Sequence, residues 1–255
     1  MTQGVSVETA QLQALEWAGR RMRERLPQWA ELAREEQKPP GGDWSTWLYM
    51  AGRGAGKTRA GSEWVHQQVR DGARRIALVG ATAADCRDVM VEGESGLLAT
   101  ASPMDMPLYE PSRRRLTWQS GAIATTYSAE EPDRLRGPQH DAAWCDELAA
   151  WRYGAAWPML LLGLRLGGKP RALVTTTPRP TKLVKELIAQ PTTVVTRGST
   201  YDNRANLAES YMEQIVKRYE GTRLGRQELM GEIIEDVEGA LWTLMMLDEL
   251  RVDDT

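Results

Sequence analysis

Two short stretches hold residues whose types and spacing could do chemistry. The first is AGRGAGKTR, Ala51 to Arg59, in which Gly52, Gly54 and Gly56 lead into Lys57 and Thr58. Glycines allow the positive φ and the close backbone approach that let successive N–H groups curl round a phosphate at the start of a helix. A lysine at position 57 then reaches the β and γ phosphates, and the Thr58 hydroxyl is placed to bind Mg²⁺. The common form of this pattern begins with glycine where Ala51 stands. Three glycines remain inside the loop, so an alanine at its mouth still lets it curl. The backbone donors of Ala51, Gly52, Arg53, Gly54, Ala55 and Gly56, with Arg59 just beyond, complete the expected nucleotide contacts.

The second stretch is DAAWCDELAAW, Asp141 to Trp151, an apolar strand that ends in Asp146-Glu147 about 90 residues after Lys57. Two adjacent carboxylates can divide a hydrolysis between them. Asp146 faces the metal and its water shell, and Glu147 orients and polarises the attacking water. An Asp-Glu pair at a helix start is common by itself, because the helix dipole favours it. Its place downstream of the glycine loop makes ATP the expected ligand and hydrolysis the expected reaction.

Two further segments fit around that pair. EEPDRLRGPQH puts Arg134 and Arg136 ahead of a Gly-Pro turn, where an arginine could serve as a finger on transferring phosphate. The plainer alternative is pairing with Asp133 or Glu131, and Arg53 inside the loop is a third candidate. VTTTPRP puts Thr175, Thr176 and Thr177 at the end of another strand, where hydroxyls could sense the γ-phosphate, although Thr-rich strand ends are ordinary.

These residues need elements to hold them in place. Residues 8–36 carry helical apolar spacing and an arginine cluster at Arg20, Arg21, Arg23 and Arg25, and the helix stops before Pro39-Pro40-Gly41-Gly42. Strands are expected over 46–50, 75–80, 142–145, 172–176 and 193–196. Helices are expected over 59–69, from 83 towards 98, over 154–164 and over 181–189. Residues 116–118 and 122–127 form a hairpin turning at Ser120-Gly121. Such alternation implies a mainly parallel sheet with helices on both faces. The chain divides into an N-terminal helical segment (1–40), an ATPase core (41–200) and a helical lid (201–255).

Composition narrows the class. The 255 residues are 42% hydrophobic and 26% charged with a net charge of −3, an ordinary globular balance and no polycationic coat. Two cysteines and two histidines supply neither a zinc set nor a disulfide framework, which fits a reducing cytoplasm. No apolar run is long enough to span a membrane, and the first residues lack a signal-peptide layout. Ten tryptophans stand beside no phenylalanine, which we do not explain.

AGRGAGKT, RLRGPQHDAAWCDE and LVTTTPRP, in this order and spacing, resemble the ATPase domain of tailed-phage large terminase subunits. STYDNRANLAESYMEQI and RLGRQELMGEIIEDVEGALW extend the likeness over residues 44–251, nearest to the subgroup of HK97-like phages and gene transfer agents. The resemblance implies a P-loop NTPase fold of the additional-strand, RecA-like type with a small C-terminal helical lid. It implies an ATP- and Mg²⁺-dependent motor that drives double-stranded DNA into a capsid from a bacterial host's cytoplasm. The implied partners are a portal on the prohead, a small terminase subunit and further copies of the chain in a ring, commonly of five. Asp146 and Glu147 take the metal and water roles, Thr175–Thr177 couple phosphate loss to lid motion, and Arg136 is the expected trans-acting finger. Trp44 and Trp47 lie where the family has its adenine-side segment, where they either stack on adenine or fill the core. The family's nuclease domain has no counterpart before Thr255, so an excised ATPase domain without DNA cleavage is expected. Arg113-Arg114-Arg115 with Trp118 is the best basic and aromatic cluster for a DNA contact, with the N-terminal arginines next and an ordinary solvated turn as the alternative. The rival readings are a superfamily 2 helicase or translocase and a catalytically silent nucleotide-binding scaffold.

Overall fold

The computed structural model describes residues 29–234. Its centre is an eight-stranded sheet in the order β3-β4-β5-β2-β6-β7-β1-β8. The strands are β1 (Thr46–Ala51), β2 (Arg75–Gly80), β3 (Leu108–Glu110), β4 (Arg115–Thr117), β5 (Ile123–Ser128), β6 (Ala142–Asp146), β7 (Arg171–Thr176) and β8 (Thr193–Gly198). From β5 across to β8 every neighbouring pair is parallel, and only β3 and β4 run antiparallel at one edge.

The buried parallel strands read as nearly unbroken apolar runs because both faces are covered. Side chains alternate between two cores. Trp47 and Tyr49 of β1, Ile76 and Leu78 of β2, and Trp144 of β6 face helix α1 (Lys57–Arg70). Leu48, Met50, Ala77, Val79 and Cys145 face the opposite core, with helices α2 (Ala156–Gly163) and α3 (Lys182–Ala189). Period two therefore puts Asp146 and Thr175 on the α1 side of the sheet, together with Trp144.

The strand and helix expectations over the core hold within one or two residues. The helix expected over 8–36 lies largely outside the described residues, including its arginine cluster. Its described end stops at Leu32 and is followed by a 3₁₀ turn at Glu35–Gln37. The helix expected at the start of 83–98 runs through Ala83–Asp85 into a π-helical stretch at Cys86–Val91, and a separate short helix follows at Leu97–Thr100. Buried Cys86 ties this helix to the sheet, its sulfur accepting the Gly80 N–H at 3.0 Å. Strand β3 is not among the expected strands, because three residues are too few to show alternation.

The arginine triplet is also not a free basic patch. Arg113 and Arg115 pair with Glu110 at 3.1 and 3.0 Å, Arg114 pairs with Glu131 at 3.2 Å, and Trp118 is buried. After β8 the chain is helical, in α4 (Glu209–Tyr219) and α5 (Arg223–Glu228).

Candidate active site

The loop between β1 and α1 lies at the carboxyl end of the parallel strands, where open α/β sheets form their crevices. Ala51 is the last residue of β1 and fully buried, and its φ is not positive. A strand position of this kind tolerates a Cβ, which explains why alanine serves where glycine is usual. The turn is made by Gly54 and Gly56, at φ 71° and 81°.

Every carbonyl from Ala51 to Gly56 has a donor. Lys57 Nζ donates to Ala51 O at 3.0 Å and Gly52 O at 3.1 Å. The Thr200 hydroxyl donates to Arg53 O at 2.6 Å, and Asn203 Nδ2 to Gly54 O at 2.6 Å. Arg34 Nη2 and the Tyr49 hydroxyl hold Ala55 O at 2.6 and 3.2 Å, and Gln37 Nε2 holds Gly56 O at 3.2 Å. The N–H groups of Gly52, Arg53 and Ala55 are taken by Gly198 O, Glu228 O and Gly52 O, against the expectation that they contact the nucleotide, which leaves those of Gly54 and Gly56 and the first donors of α1 for an anion. That is the arrangement an anion requires.

Sequence reasoning misses this outer ring of Arg34, Gln37, Tyr49, Thr200 and Asn203. Arg34 and Gln37 fall at the end of the long helix expected there, and the other three read as core or loop. The Pro39-Pro40 breaker two residues after Gln37 is the one available signal that the helix ends early.

The acidic pair stands opposite the loop. Asp146 is buried, and its Oδ1 accepts the Thr175 hydroxyl at 2.6 Å. Burial, with the charge of Glu147 beside it, pushes the Asp146 carboxyl up to about 6, while the Thr175 hydrogen bond and Lys57 act against the shift. Glu147 leaves the strand in the left-handed region, at φ 47° and ψ 46°. That conformation disfavours a residue with a Cβ by about 1–2 kcal/mol, and strain of this kind concentrates at functional sites. It turns the Glu147 carboxylate towards the loop, 3.6 Å from Lys57 Nζ. Thr177 joins the two, accepting from Lys57 Nζ at 3.1 Å and donating to Glu147 Oε1 at 3.3 Å.

Several expected contacts lie elsewhere. Thr175 and Thr176 are fully buried: the first serves Asp146, and the second accepts the Ala149 N–H at 3.0 Å and donates to Thr177 O. Only Thr177 of the three faces the loop. Trp44 stands at the amino end of β1, away from the loop, under the Arg171 guanidinium at 4.2 Å and donating to Pro40 O. The expected adenine stacking by Trp44 is thereby corrected. Arg53 turns to the lid, where its Nε meets Glu228 Oε2 at 2.8 Å, so its side chain is not in the loop's concavity. Arg59 pairs with Glu63 at 2.7 Å and lies over the Trp29 ring. Arg134 pairs with Glu131 at 3.2 Å, while Arg136 is exposed with no ion pair among the described residues.

The donor set fits a hard divalent cation. Asp146 Oδ2 has no hydrogen-bond partner among the described residues, and the Thr58 hydroxyl begins α1 on the same side of the sheet. No group of three or more His, Cys, Asp or Glu gathers among the described residues. Mg²⁺ needs no such cage, since it is commonly held by one or two protein oxygens plus substrate phosphates and water.

A family model described as terminase large subunit, T4likevirus-type, N-terminal, matches residues 48–249. The chain belongs to this family. As a terminase it has fold relatives of low identity among solved structures. The Thermus phage P74-26 large terminase ATPase domain is 18% identical with a TM-score of 0.58, over 77% of this chain and 94% of that one. The HK97 bacteriophage large terminase is 15% identical with a TM-score of 0.59, over 82% of this chain and 51% of that one. A large terminase from a thermophilic bacteriophage, in complex with ADP, is 15% identical with a TM-score of 0.61, over 74% of this chain and 48% of that one. The terminase chain described here thus spans about half of the HK97 protein and of the ADP-bound one. No curated protein matches it. Membership of the terminase family, with this sheet order, sets the helicase reading aside.

Proposed function

We propose that this chain is the ATP-hydrolysing motor domain of a large terminase and drives double-stranded DNA into a viral-type capsid. The observation that carries the reading is the convergence of Lys57, Thr177 and Glu147 on the concave side of the glycine loop, with Asp146 beside them. Lys57 neutralises the β and γ phosphates, giving up its carbonyl contacts to do so. Thr58 and Asp146 Oδ2 would hold Mg²⁺, which supplies charge neutralisation to the phosphates when bound. Glu147 accepts a hydrogen bond from the attacking water and aims it along the phosphate axis, and Thr177 reports whether the γ-phosphate is present.

Arg136 completes the site of a neighbouring copy in a ring at the portal, with the small terminase subunit and the prohead as further partners in the host cytoplasm. The exposure of Arg136, with no ion pair among the described residues, favours it over Arg134 as the finger.

ATP turnover per subunit against protein concentration, with Glu147→Gln as the blank, tests this. Turnover that rises with concentration and disappears in the blank is the expected outcome. Constant turnover would place every catalytic group in one chain and remove the trans arginine. No turnover above the blank at any concentration would leave the silent-scaffold reading standing.

A further inference from the structure

We infer that Trp144 is a positioning residue for Asp146, acting through the hydroxyl of Thr175. The inference rests on the proposed nucleotide site and concerns how its metal-side carboxylate is aimed. Trp144 Nε1 lies 2.9 Å from Thr175 Oγ1, and Thr175 Oγ1 lies 2.6 Å from Asp146 Oδ1. All three residues are buried, on the α1 face of adjacent strands β6 and β7, where Asp146 and Thr175 are register partners.

The direction of this chain of hydrogen bonds follows from its first member. An indole N–H can only donate, so Thr175 must accept from Trp144. The hydroxyl then has one proton to place, with two acceptors in reach, Cys145 O at 3.3 Å and Asp146 Oδ1 at 2.6 Å. With the indole on one lone pair, the short bond to Asp146 takes the proton. Asp146 Oδ1 is thereby fixed as an acceptor and the carboxylate plane with it, which leaves Oδ2 without a hydrogen-bond partner among the described residues. The indole itself cannot drift, because α1 passes it at Gly61, where even a Cβ would fall within the Trp144 ring. Thr175 is accordingly an aiming group for the carboxylate, and the sensing role belongs to Thr177 alone.

Removing the indole donor while keeping an aromatic ring frees the hydroxyl to turn to Cys145 O and lets the carboxylate rotate. The test uses the parent chain, Trp144→Phe, Thr175→Val and the double variant, each checked by thermal melting, with Thr175→Ala in place of Thr175→Val if the latter does not fold. Calorimetry gives the Mg²⁺ concentration that half-maximally tightens ATPγS binding. Trp144→Phe should raise it about three- to ten-fold, and should add nothing in the Thr175→Val background. An unchanged Mg²⁺ requirement in Trp144→Phe overturns the inference. So does an equal cost in both backgrounds, since packing alone would give that result.

A second readout needs no ligand. The Trp144 indole ¹H–¹⁵N cross-peak, identified by its loss in Trp144→Phe, should move in Asp146→Asn while Thr175 is intact and stay in place when Thr175 is valine. A cross-peak indifferent to Asp146 overturns the inference even if the parent chain binds no nucleotide. Lack of Mg²⁺-dependent binding in the parent would count against the proposed function instead.

Discussion

Glu228 meets Arg53 twice: its backbone carbonyl accepts the Arg53 N–H at 2.7 Å and its carboxylate accepts Arg53 Nε at 2.8 Å. The end of α5 is thus seated on the mouth of the glycine loop, beside Gly52. The side-chain pair is largely exposed on the arginine side and contributes only about 0–1 kcal/mol. The backbone contact is the closer constraint on α5.

The lid should therefore respond to a single methyl group. A Cβ on Gly52 would stand 2.5 Å from Leu229 O and 2.7 Å from Glu228 O. The loop is tied down through its carbonyls, so the lid is the part that must yield, at about 1–3 kcal/mol. Gly52→Ala is expected to speed amide hydrogen exchange across residues 223–230 while β1 and β6 keep the parent's protection. Unchanged exchange in the lid would show that the contact does not hold it.

Lys57 is expected to dominate ground-state affinity. Its ammonium already satisfies two loop carbonyls, Thr177 and Glu147, and in the bound state it faces phosphate charge. Its removal leaves that charge unpaired, costing roughly 1.5–3 kcal/mol, or about 10- to 150-fold in Kd for ATP. Calorimetric titration of Lys57→Ala checks this, and a near-parent Kd would contradict the role.

Two inactive variants should rescue each other if the finger works in trans. Arg136→Ala should lower turnover by about 10³-fold or more, and Glu147→Gln should abolish it. Mixed, they form sites with Glu147 from one copy and Arg136 from the next, so activity should return to a sizeable fraction of the parent's. Arg134→Ala, which breaks only the Glu131 pair, should cost far less. A mixture as inactive as its components would rule out a shared site.

Acid should destabilise the fold before it reaches most carboxylates. Burial pushes His66 and His140 down to about 4 from an ordinary 6.5. The unfolded chain then takes up protons first as pH falls, so stability is full above about 6.5 and is lost progressively towards pH 4. At ~1.4 kcal/mol per pH unit, each histidine accounts for up to roughly 3 kcal/mol. Asp146, pushed up to about 6 by burial, acts in the opposite sense, because the folded chain takes up that proton before the unfolded one. Two histidines against one carboxylate leave a net loss. The ring nitrogens of His140 have no partner among the described residues, so His140→Leu forfeits no hydrogen bond. Its melting temperature should fall less than the parent's between pH 7.5 and pH 5. An equal fall would remove His140 from the account.

The sequence by itself determined the sheet, the loop and the acidic pair. Apolar runs such as RIALVG and DAAWCD are local signals of buried strands, and a glycine loop before Lys57-Thr58 needs only its own spacing to be read. Family membership followed from the order of those motifs, which is also one-dimensional information. Tertiary structure alone decided which way each side chain faces and what it meets. Trp44 and Thr177 both sit in or beside the motifs, yet the first goes to the far end of β1 under Arg171 and the second to the centre of the site. The hairpin arginines look like a basic patch until Glu110 and Glu131 come beside them. Arg34, Gln37 and Asn203 have no local mark, because their task is to hold carbonyls 18 to 149 residues away in the chain. Hydrogen bonds over such separations depend on where the fold brings two segments together, and spacing along the chain does not encode that.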